Sequence, residues 1–170
     1  MKRMLLVTTC MMLAFNLLCG CDSKPKDIAV SAGGKIIEPA RIITREDAKA
    51  LTGASFEECI VKEEPRVGLK LCVYEKDGAL LQVGLTQAAY MDKNNGNTPE
   101  SIYKATKSAC KDAVKIDGVG DDNFLAPPGL HILKGSYYVT VSMGLMAKDN
   151  EKLKAAGLKA VENLSKYSAQ

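Results

Sequence analysis

The segment that most constrains the fold is 69–85. Leu69, Leu71 and Val73 alternate with Lys70, Cys72 and Tyr74, and Leu81, Val83 and Leu85 repeat the spacing after Asp77-Gly78. A period of two over two such runs means extended strands, and Asp-Gly between them marks an antiparallel hairpin. A two-residue loop would set Val73 opposite Gln82 and mix polar with apolar positions. A three-residue loop, Lys76-Asp77-Gly78 with Gly78 left-handed, pairs Val73 with Leu81 and Leu71 with Val83. Because the hydrophobic pattern sets register, the longer loop is the expected one.

The rest of the chain supplies further elements around this hairpin. Thr44 caps a helix whose first turn carries Glu46 and Asp47 and which Gly53 ends. A strand over Phe56–Lys62 precedes the turn at Glu64-Pro65-Arg66-Val67. Asp92–Asn97 reads as a polar loop, and Thr98-Pro99-Glu100 begins a second helix that runs to about Ala113. Strands follow at Asp122–Ala126, Leu130–Leu133 and Tyr137–Leu145, separated by Pro127-Pro128-Gly129 and Lys134-Gly135. A last helix, about Asp149–Tyr167, aligns Leu153, Ala156, Ala160 and Leu164. This order predicts an α+β domain over 41–170, an antiparallel sheet of about five to six strands with three helices packed mainly on one face. With no Trp and 3 Phe, its core is built chiefly from aliphatic side chains.

Residues 1–20 have the parts of an export signal: Lys2 and Arg3, an apolar stretch from Met4 to Leu18, and the small Gly20. Leu18-Cys19-Gly20-Cys21 resembles the bacterial lipobox, with Cys19 where Ala or Ser is usual. That resemblance implies a diacylglycerol on the Cys21 sulfur, cleavage before Cys21 and attachment to a membrane through lipid. Residues 21–40 read as a tether, with a short strand at Lys35–Glu38. Asp22 resembles the signal that retains enteric lipoproteins at the periplasmic face of the inner membrane; the outer membrane is the alternative. Of the 23 Lys and Arg, two lie in the leader, leaving 21 against 20 acids. Such a near-neutral body lacks the concentrated basic face that nucleic acid requires.

Cys72-Val73-Tyr74, Gly118-Val119-Gly120-Asp121, the Leu130 to Lys134-Gly135 hairpin and the Val139/Val141 strand are similar to a pattern in small secreted bacterial lipoproteins. Those families are mostly uncharacterised, so the likeness implies a layout and no activity. In an oxidising envelope a disulfide is expected. Centring the first hairpin on Pro65-Arg66 puts Cys59 directly opposite Cys72, at bridging distance. Cys110 then remains as a buried helix thiol, with a bridge from Cys110 to one of the other two as the alternative.

Catalytic signals are sparse. His131 is the one histidine, placed opposite Tyr138 on a strand face shared with Thr140 and Ser142, and read as a surface residue. No nucleophile-elbow or zincin string accompanies it. The acidic run 117–123 fails calcium-loop spacing and reads as a turn entering a strand. Glu57, Glu58, Glu63 and Glu64 flank the first hairpin and keep it soluble. The expectation is therefore a membrane-tethered, non-enzymatic module needing no cofactor. It would bind a protein partner or small ligand through His131, Tyr138 and Thr140. The alternatives are an envelope hydrolase with a dispersed site and a structural lipoprotein of a larger complex.

Overall fold

The structure is a computed structural model that describes residues 35–93, 96–144 and 150–168. The leader, Cys21, Asp22 and the tether up to Gly34 lie outside the described residues. Helices α1 (Pro39–Ile42) and α2 (Arg45–Thr52) precede strands β1 (Ile60–Glu64), β2 (Leu69–Lys76) and β3 (Ala79–Gln87). Helix α3 (Pro99–Ala109) crosses to β4 (Asp122–Ala126), β5 (Gly129–Lys134) and β6 (Tyr137–Ser142), and α4 (Asn150–Ser168) closes the chain. The six strands form one antiparallel sheet in the order β1-β2-β3-β6-β5-β4. The α+β architecture expected from the sequence is the one observed.

Capping chemistry sets the helix starts. The Thr44 hydroxyl accepts from the Asp47 amide at 3.2 Å while the Asp47 carboxylate accepts from the Thr44 amide at 3.1 Å. Thr98 and Ser101 make the same reciprocal pair ahead of α3, with Pro99 at the first helical position. Such pairs satisfy amides that the first helical turn leaves without partners. Helix α3 ends at Ala109, with Cys110 as its cap, four residues before the expected Ala113.

The main core lies between the sheet and α1, α2 and α4. Leu81, Val83, Leu85, Leu130, Ile132, Val139 and Val141 present one sheet face to Ile42, Ala48, Leu153, Ala156, Ala160 and Leu164. A smaller core on the opposite face joins Tyr103 of α3 to Phe124, Ala126 and Tyr138.

Both N-terminal hairpins differ in register from expectation. Between β2 and β3 the loop has two residues, Asp77 and Gly78, at φ 50° and 82°. Both positions lie in the left-handed region, as the tight hairpin turn favoured by Asp-Gly demands. Val73 therefore does face Gln82, while Tyr74 pairs with Leu81 and Cys72 with Val83. Turn chemistry outweighs the aliphatic pattern because Cys72 and Tyr74 serve as core residues. The Tyr74 hydroxyl keeps its hydrogen bond by donating to the Ile43 carbonyl at 2.8 Å. The β1–β2 connection is a 3-10 turn, Pro65–Val67, closed by Gly68, so Ile60 faces Val73 rather than Leu71. A shift of two preserves the face, and the Cys59–Cys72 disulfide forms with Cα atoms 5.5 Å apart.

The body also takes in residues given to the tether. No strand forms at 35–38. Instead the Ile37 amide donates to Gln87 Oε1 and its carbonyl accepts from Gln87 Nε2, both at 2.8 Å, and the Ile37 side chain is buried.

Candidate interaction surface

The functional geometry follows from how unevenly the sheet is covered. Helix α4 packs on β5 and β6 from one side, and α3 packs on the same two strands from the other. Over β1–β3, α1 and α2 cover only the face that carries Cys72, Tyr74 and Val83. The reverse face carries Ile60, Leu69, Leu71, Val73, Leu80 and Gly84, and none of these belongs to either core. Ile60 is 60% exposed and Leu69, Leu71 and Leu80 are half-buried, while Val73 and Gly84 toward the middle of the sheet are buried.

The two sheet edges differ in the same direction. Beyond β4, Val114 and Leu125 exchange both backbone hydrogen bonds, at 3.2 and 2.7 Å, which covers that edge at Leu125. Among the described residues, β1 pairs with β2 alone, and all five of its residues are exposed. Both ends of β1 are nonetheless fixed. The Cys59–Cys72 disulfide holds the approach to it, and Glu63 is bound near its end. The Glu63 carboxylate accepts from the Tyr90 hydroxyl at 2.7 Å and lies 3.0 Å from Lys70 Nζ. Lys70, only 8% exposed, also meets Glu38, so one ammonium joins the N-terminal segment, β1 and β2. Burial alone would lower the Lys70 pKa, but Glu38 and Glu63 outweigh it and raise it. The Tyr90 and Lys70 bonds hold the Glu63 carboxyl below its ordinary value.

Beside β1 on the α1–α2 side is a cleft of ≈ 390 Å³. Tyr74, Cys59 and Val61 form its apolar wall, and Glu58, Glu46 and Arg45 stand at its rim. Burial and the nearby Glu46 and Asp47 carboxylates push the Tyr74 hydroxyl up to about 12, so it stays a neutral donor. No family model, curated protein or solved structure matches this chain.

The residues singled out in the sequence lie elsewhere. His131 is 5% exposed and Tyr138 6%, both beneath α3 rather than on an open face. The His131 ring stacks on Phe124 at 4.4 Å between centroids, and its Nδ1 shares a 2.7 Å hydrogen bond with the Tyr138 hydroxyl. His131 pairs with Thr140, not Tyr138, because the β5–β6 turn puts Lys134 opposite Tyr137. Thr140 is half-buried at the boundary between the covered and open halves, facing Gly84 of β3. Burial lowers the His131 pKa, and Nε2 has no hydrogen-bond partner among the described residues. The structure thus puts all three on one sheet face, with Thr140 directly across from His131 and the Tyr138 hydroxyl bonded to its ring.

The acidic run is a turn. The Asp121 carboxylate accepts from the Gly135 amide and from Lys134 Nζ, each at 2.7 Å. The Asn123 side chain donates to the Ile116 and Val119 carbonyls and accepts from the Ile116 amide. Gly120, at φ 66°, leaves no room for a side chain beside Ile132 and the Leu133 carbonyl. Among the described residues no group of His, Cys, Asp or Glu is arranged to hold a metal ion. None of their helices is long and apolar enough to cross a membrane.

Proposed function

We propose that this chain is a lipid-anchored module of the bacterial cell envelope that works by binding a partner rather than by catalysis. The observation that carries the binding reading is the half-covered sheet: on the face of β1–β3 away from α1 and α2, Ile60 is exposed and Leu69, Leu71 and Leu80 are half-buried, and among the described residues β1 pairs on one side only. The lipobox-like Leu18-Cys19-Gly20-Cys21 supports the anchor. The Cys59–Cys72 bridge supports an oxidising compartment, where such bonds persist. One acyl chain binds a membrane marginally and two or three hold a protein stably, so full lipidation at Cys21 suffices as an anchor. Asp22 favours the periplasmic face of the inner membrane, and fractionation of wild type against Asp22→Ser separates that location from the outer membrane.

Two measurements test this reading. Palmitate incorporates into the wild type and not into Cys21→Ser; equal labelling sinks the anchor. A photo-cross-linking group at Ile60 captures a neighbour in intact envelopes, whereas the same group at Leu158, 43% exposed on α4, does not. Equal capture from both positions removes the case for a specific surface.

A further inference from the structure

We propose that β1 accepts an extended, basic segment of a partner protein as a seventh strand, with one Lys or Arg side chain of that segment entering the cleft beside Tyr74. This rests on the binding reading above and names its partner class.

Three features meet at this edge. The first is the open ladder: among the described residues β1 pairs with β2 alone, while the other terminal strand is bridged by Val114 at Leu125. Strand addition draws its affinity from main-chain hydrogen bonds, which an unpaired edge supplies. The second is rigidity. A five-residue edge strand with no buried residue would fray, yet the disulfide and the Glu63–Lys70–Tyr90 contacts hold both ends. An edge already fixed in strand geometry spares a partner part of the ordering cost. The third is the cleft, which Val61 and Cys59 share with the edge. A strand laid along β1 turns alternate side chains toward each face. One row meets Ile60 on the open face, and the other meets Val61 and the cleft.

Charge selects the occupant. Residues 57–64 hold four Glu and one Lys. Glu57, Glu58 and Glu64 are exposed. A second copy laid on the same edge would bring two such acidic strips together, and like charges disfavour that seam. A Lys or Arg side chain instead lays its aliphatic stem on Val61 and Tyr74 while its cation reaches Glu58. The partner strand therefore alternates basic with aliphatic residues.

The test uses the full chain purified in detergent and a fluorescent six-residue peptide alternating Lys and Val. Fluorescence anisotropy should show saturable binding. Exchanging each Lys for Glu should weaken it at least tenfold, as should N-methylation of the backbone amides along one peptide edge. Glu58→Lys should weaken binding about tenfold, while Glu151→Lys on α4 leaves it unchanged. Unaltered binding of the N-methylated peptide means charge attraction without strand pairing and overturns the proposal, as does indifference to Glu58→Lys. Concentration-dependent dimers that Ile60→Asp dissolves would assign the edge to a second copy. Binding that appears only after residues 24–32 are replaced by Gly and Ser would assign it to this chain's own segment. Either result also overturns the proposal. If Ile60 still captures a neighbour in envelopes while the peptide fails, the strand proposal falls alone; if both fail, the binding reading falls with it.

Discussion

The two halves of the sheet have the same plan, three antiparallel strands followed by a helix, but they are built for different ends. In the β4–β6 half, Phe124, His131 and Tyr138 on one face and Leu130, Ile132 and Val141 on the other are all buried, and Val114 bridges the edge at Leu125. In the β1–β3 half, one face packs against α1 and α2, the other carries half-buried Leu69, Leu71 and Leu80 around a buried Val73, and the edge strand is exposed from end to end. The closed half buys stability through packing. The open half has less packing to hold it and relies on a disulfide and a buried lysine instead. A chain that needed only to be stable would gain from covering both.

Substitutions in the two halves should differ in cost. Phe124→Ala, in the closed half, should cost about 3–5 kcal/mol in denaturant unfolding, whereas Ile60→Ala should change stability by no more than about 0.5 kcal/mol. Similar costs at the two sites would show that the open half is packed after all. Replacing Cys59 and Cys72 together by Ala should cost about 2–3 kcal/mol, since the bridge closes a loop of sequence separation 13. Proteolysis of that variant should begin around β1, and an early cut in β4–β6 would contradict the clamp. Thr98→Ala should remove about 1 kcal/mol by uncapping α3, and fluorescence of the tyrosines beneath α3 should report the loosening.

The most local effect is one of pH. Burial holds the His131 imidazole below its ordinary 6.5, so the unfolded chain takes up this proton first as pH falls. Stability should be full above 6.5, decline as pH drops through that value, and level off below the lowered folded-state pKa. His131→Phe should remove this component; an unchanged pH profile would mean that the ring is reached by water.

What the sequence shows of this fold is its local chemistry. Thr44 and Thr98 announce helix starts, and Leu153, Ala156, Ala160 and Leu164 announce a buried stripe, because caps and stripes are written in neighbouring residues. The register of β2 on β3 was harder, since Tyr74 and Cys72 suit a core as well as Leu71 and Val73 do, and only Asp77-Gly78 decides between them. The candidate site was less legible still. Whether His131 is buried depends on where α3 lands, and α3 belongs to a distant stretch of chain. That β1 is an edge depends on strand order, which no single strand encodes. Lys70 was a missed signal: a lone cation in a core-facing position, with Glu63 across the ladder, marks a built contact.

Amide hydrogen exchange on the full chain reads the difference between the two edges residue by residue. The unequal sheet predicts slow exchange at Leu125 and across β5 and β6. It predicts fast exchange at those β1 amides that point away from β2, slowing when the basic peptide is added. Protection of every β1 amide in the free protein, equal to that of β4, would show that the edge is already occupied and that β1 is no docking strand.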